Sequence, residues 1–126
     1  MNLSTGLRAN AAFTMICATT CLAATDWVTA HTALPGRPWT IALGIMLATY
    51  VPILLFAAAR PMDWLVKTII ALDWGFVAIA AIFLAMSWSK VDATGAALIA
   101  VPALSVALFA LLQAHGWTQS QREARA

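Results

Sequence analysis

Charge is what this chain has least of: seven Lys and Arg and five Asp and Glu among 126 residues, 10% in all, against 63% hydrophobic residues. A water-soluble domain would struggle to hide that much apolar surface. The few basic residues are scattered and the net charge is only +2, which argues against a nucleic-acid surface and leaves nucleic acid off the list of expected partners. Cysteine is scarce too. Cys17 and Cys21 lie one helical turn apart, where a regular helix does not offer disulfide geometry, and they form neither a C-x-x-C pair nor a metal site with nearby ligands. They read as small packing residues. The two histidines, His31 and His115, fall on opposite sides of the expected membrane and cannot share a haem or metal. There is no glycine-rich phosphate loop, no H-E-x-x-H pattern and no nucleophile elbow. The sequence therefore supports no enzyme, and no cofactor or metal is expected.

What the chain does have is long apolar runs, with a mean hydropathy of +0.86. About 20 such residues cross the ~30 Å hydrocarbon core of a bilayer. Four runs of this kind occur, over about 9–28, 39–59, 64–88 and 94–113. The expected fold is an all-α membrane protein, a four-transmembrane-helix up-down-up-down bundle over residues 1–117, because short connections make consecutive helices antiparallel neighbours. A polar cytoplasmic tail, 118–126, follows. The first run resembles a secretory signal after Arg8, but its length and its Thr14, Thr19 and Thr20 suit a packed span better. Pro35, Gly36, Arg37 and Pro38 form a strong break before the second span.

Orientation follows the basic residues. With the N-terminus inside, Arg8, Arg60, Lys67, Arg122 and Arg125 are cytoplasmic, while Arg37 and Lys90 are outside. That asymmetry puts both termini in the cytoplasm. The tryptophans agree: Trp27, Trp39, Trp88, Trp64 and Trp117 fall near span ends, and Trp74 alone lies deep.

Asp73 is the most informative residue, since it sits about ten positions into the third span, too deep for a short side chain to reach water. It must either be protonated or find a donor. Tyr50, with Thr49 beside it, lies at matching depth in the second span. The pair offers two readings: a proton-binding or substrate-binding site, or a hydrogen bond that fixes helix register. Asn10 and Gln113 sit at similar depth near the inner ends of spans one and four and can bond across the bundle. Lys67 can carry its ammonium back to the interface, and its six-residue offset from Asp73 puts the two on different faces. Pro52 and Pro102, mid-span, should kink their helices. Gly44 with Ala48, and the series Ala78, Ala81 and Ala85, permit close helix approach.

The stretches Leu7-Arg8-Ala9-Asn10-Ala11, Ala71-Leu72-Asp73-Trp74 and Ala107-Leu108-Phe109-Ala110-Leu111-Leu112-Gln113 resemble a group of small bacterial four-helix membrane proteins. The resemblance implies a four-span layout in a bacterial inner membrane and adds interest to Asn10, Asp73 and Gln113. In size and layout alone the chain is distantly similar to DoxX-type proteins. The small multidrug transporters differ, because they carry a glutamate within the first span and here the first acid is Asp26 at its outer end. Fluoride channels differ in lacking counterparts here for their glycine-rich and polar pore segments. Function then divides between an accessory, assembly or interaction subunit and a small proton-coupled transporter or channel using Asp73 and Tyr50. A lipid- or quinone-binding membrane enzyme is a third class. The expected partners are the lipid bilayer and either another membrane protein or further copies of this chain.

Overall fold

A computed structural model describes residues 3–125. It is all-helical: α1 (Leu3–Ala23), α2 (Thr25–Thr32), α3 (Arg37–Ala59), α4 (Asp63–Met86) and α5 (Ala93–Arg125), with no strand among the described residues. Three of these, α3, α4 and α5, are long and apolar enough to cross a membrane, and a fourth crossing exists if α1 and α2 count as one bent span.

The first span is thus not one continuous helix to Val28. The chain turns by 95° between α1 and α2, at a place with neither proline nor glycine. Threonine makes the turn. The Thr25 hydroxyl donates to the carbonyls of Cys21 at 2.7 Å and Leu22 at 3.1 Å, and such back-bonding loosens the helical ladder and bends it. Thr29 and Thr32 repeat the contact onto the carbonyls of Thr25 and Val28. Helix α2 ends on Ala33 in the left-handed region, φ 58°. Proline then places the next start: Pro38 sits in the first turn of α3, where its missing N–H leaves nothing unpaired. Helix α4 opens with Asp63, whose charge complements the helix N-terminus.

Consecutive long helices are not equally close. Helix α1 packs along α3 and also against α5, and α4 packs against α5, whereas α3 and α4 touch only briefly. The buried hydrophobic core lies toward the end holding both termini. There Leu3, Leu7 and Ala11 of α1 meet Val51, Leu54 and Ala57 of α3 and Leu65, Val66 and Ile69 of α4. Gly44 lets α3 approach α1, since a Cβ there would lie 2.8 Å from Leu22 and 3.1 Å from Cys21. Ala78, Ala81 and Ala85, by contrast, are exposed on α4, and Ala81 lines a groove between α4 and α5.

Residues 118–125, the polar tail of the sequence, continue α5 as helix, and Ala126 lies outside the described residues. Helices α3 and α5 run through Pro52 and Pro102 without a break.

Candidate functional site

Each of the four long helices sends one polar side chain to a common point. Asp73 of α4 is the acceptor. Tyr50 of α3 donates its hydroxyl to Asp73 Oδ1 at 3.0 Å. Asn10 Nδ2 of α1 and Gln113 Nε2 of α5 donate to Asp73 Oδ2 at 3.1 and 2.8 Å. The amides also bind each other, Asn10 Nδ2 to Gln113 Oε1 at 3.0 Å, and Thr14, one turn along α1, donates to Asn10 Oδ1 at 3.3 Å. Asn10 thereby spends both its N–H donors and one acceptor inside the cluster. Burial closes it off: Asn10, Asp73 and Gln113 are 1%, 2% and 0% exposed. Tyr50 is half-buried.

The amide orientations follow from the carboxylate. An ionised carboxylate only accepts, so both amides must turn nitrogen toward it. Hydrogen bonds to a charged group contribute about 1.5–3 kcal/mol each. Three such bonds are what makes a carboxylate tolerable in an apolar interior. No buried side-chain nitrogen or oxygen is left without a partner among the described residues. Among the described residues no ion pair involves Asp73: those found join His31 to Asp92 and Arg37 to Asp26, at 2.8 and 3.7 Å. Its hydrogen-bond donors, Tyr50, Asn10 and Gln113, are neutral groups.

The residues expected at two levels occupy one. Asp73 with Tyr50, and Asn10 with Gln113, form a single cluster rather than two separate contacts. Thr49 does not join it. Its hydroxyl bonds the Ile45 carbonyl at 2.9 Å on an exposed face, because one residue step turns a helix by about 100° and Tyr50 already faces inward. Pro52 is exposed, and Pro102 lines a cleft away from the cluster. Lys67 and His115 are exposed, consistent with the face assigned to Lys67 from its spacing. Thr14 is the member that sequence reading missed. Its four-residue spacing from Asn10 was the available signal.

At the opposite end, Asp92 joins α2 to α5. Its Oδ1 accepts from the Gly95 amide at 2.7 Å and its Oδ2 pairs with His31 Nδ1 at 2.8 Å. These contacts, the amide first and the imidazole second, hold the Asp92 carboxyl below the usual aspartate range. Between them lies an apolar cleft of about 600 Å³ with Phe13, Cys17, Trp27, Leu98 and Pro102 on its walls. Among the described residues no group of acids, histidines or cysteines is arranged to hold a metal.

No family model, curated protein or solved structure matches the chain.

Proposed function

We propose that this chain is a four-span integral protein of a bacterial inner membrane, with both termini cytoplasmic, that serves as an accessory or assembly subunit. The observation that supports this most is the inward closure of its polar groups: Asn10, Asp73 and Gln113 are buried and bonded to one another. Such a cluster fixes the register of four helices, and its groups face one another rather than a cavity. What remains for contact is the apolar exterior, where Ile79, Ile82 and Leu104 are more than half exposed. In this reading α1 and α2 together make the fourth crossing, bent between them. Helix α2 lies at the outer interface, which suits Asp26, Trp27 and His31. Extraction from native membranes in mild detergent tests the proposal. A particle heavier than any homo-oligomer, with a defined second protein, supports it; a homo-oligomer without a partner overturns it.

A second reading, a small proton-coupled transporter or channel, is favoured by one observation. The carboxylate of Asp73 has no cationic partner among the described residues. Coupled flux in proteoliposomes that vanishes in Asp73→Asn would support transport, and flux retained in that variant would sink it.

A further inference from the structure

The Tyr50 hydroxyl has one proton and two acceptors within reach: Asp73 Oδ1 at 3.0 Å and the backbone carbonyl of Ile69 at 3.4 Å. Ile69 stands one turn before Asp73 on α4, and its carbonyl oxygen has two lone pairs, so it can serve the helical ladder and a phenol together. This arrangement gives the cluster two complete hydrogen-bond patterns. In the first, Asp73 is a carboxylate and accepts from Tyr50, Asn10 and Gln113. In the second, Oδ1 carries a proton and donates to the Tyr50 oxygen, while the Tyr50 hydroxyl turns to Ile69 and both amides stay on Oδ2. No donor or acceptor is orphaned in either.

We propose that Asp73 is a proton-binding group and that Tyr50 is its switch, the phenol hydroxyl passing from Asp73 to the Ile69 carbonyl when the carboxylate takes up a proton. The proton is delivered by a hydronium ion, whose O–H bond breaks as one forms at Oδ1 and which departs as neutral water, and the buried charge falls from −1 to zero. It arrives past Tyr50, the cluster member that is only half-buried, where α3 and α4 have little contact. Tyr50 is the titratable group facing Asp73. Arg8 on α1, Arg37 on α3, Asp63 and Lys67 on α4, and His115, Arg122, Glu123 and Arg125 on α5 are all exposed, and Cys17 and Cys21 lie two and three turns beyond Asn10 on α1. The hydroxyl swap changes which helix backbone Tyr50 is bonded to, and so the tie between α3 and α4. The inference deepens the transport reading but requires no flux: proton binding without transport leaves the assembly reading standing.

The chain has one tyrosine, so its vibrational modes report Tyr50 without labelling. The test is infrared difference spectroscopy on the full chain in lipid vesicles, titrated between pH ~9 and ~4. The other carboxyl groups of the chain add bands of their own, so the Asp73 signal is the part lost in Asp73→Asn. In the wild type that acid band and the tyrosine C–O mode change with one shared midpoint, and Asp73→Asn loses both changes. Tyr50→Phe keeps the ring volume and decides the matter even if Asp73→Asn does not fold: its Asp73 acid band moves to higher wavenumber, since the new O–H has lost its acceptor. A tyrosine mode that stays constant while the aspartates titrate overturns the proposal, as does an acid band unmoved in Tyr50→Phe.

Discussion

Gln113 Nε2 lies 2.8 Å from Asp73 Oδ2, the shortest bond in the buried cluster, and joins residues 40 apart in the chain. It ties α5 to α4 at one fixed register. Sliding either helix by a turn, about 5.4 Å, would leave a carboxylate and a primary amide unpaired in an apolar interior. The bond therefore acts through the alternatives it forbids as well as through its own strength.

Replacement of Asp73 should separate shape from charge. In Asp73→Leu, Asn10, Gln113 and Tyr50 each lose an acceptor, at about 1–3 kcal/mol per stranded buried group. The amides retain their mutual bond and Tyr50 retains Ile69, so the loss should be about 2–4 kcal/mol. In Asp73→Asn the new amide can turn its oxygen to Asn10 and Gln113 and its nitrogen to Tyr50, and the loss should stay near 1 kcal/mol. Denaturant unfolding in micelles, followed by circular dichroism, measures both. Equal losses would mean that the hydrogen bonds contribute no more than side-chain volume.

The all-helical architecture and the polar members of this cluster were legible in the sequence because burying polarity in apolar helices is costly. Asp73, Tyr50, Asn10 and Gln113 stand out from their surroundings for that reason, and depth counting brought Tyr50 to Asp73. Their union in one cluster was not legible, since it depends on how α1 and α5 lie against α4, and apolar helices carry little periodic signal for rotation. The α1–α2 bend was hidden for a different reason. It is built by Thr25, whose hydroxyl competes for backbone carbonyls, while the familiar break signals sit a dozen residues later at Pro35 and Gly36.

Two glycines should respond oppositely to alanine. A Cβ at Gly95 would collide with the His31 backbone carbonyl, which cannot yield without moving α2. Gly95→Ala should destabilise by about 1–3 kcal/mol, as overpacking against rigid neighbours does. At Gly75 a Cβ would meet nothing within 4 Å. Gly75→Ala should therefore be neutral or stabilise by up to ~1 kcal/mol through helix propensity. Thermal melts of the two variants in one detergent check the contrast, and a neutral Gly95→Ala would refute the close α2–α5 contact.

Ala33 closes α2 with φ 58°. A side-chain-bearing residue in the left-handed region costs about 1–2 kcal/mol, and glycine does not bear that cost. Part of the gain is offset because glycine also loosens the unfolded chain. Ala33→Gly should stabilise by about 0.5–1 kcal/mol on the same thermal assay. Destabilisation would show that α2 ends in a different backbone conformation.

Asp92 makes the α2–α5 junction acid-sensitive. Its carboxyl sits below the ordinary aspartate value in the folded chain because the Gly95 amide, then His31, favour the charged form. A depressed folded value means that the contribution is fully present above the unfolded value of ~3.9 and is lost as pH falls through the lower folded value. Hydrogen exchange at the Gly95 amide, corrected for the intrinsic pH dependence of exchange, should thus keep constant protection from pH ~7 to ~5 and lose it only below pH ~4. The side chain is well exposed, so added salt should weaken the His31 contact while leaving the backbone cap in place. Asp92→Asn can still accept from Gly95 but has no charge to lose, and its protection should be flat across the same range. Parallel acid loss in Asp92→Asn and the wild type would assign the transition to another group.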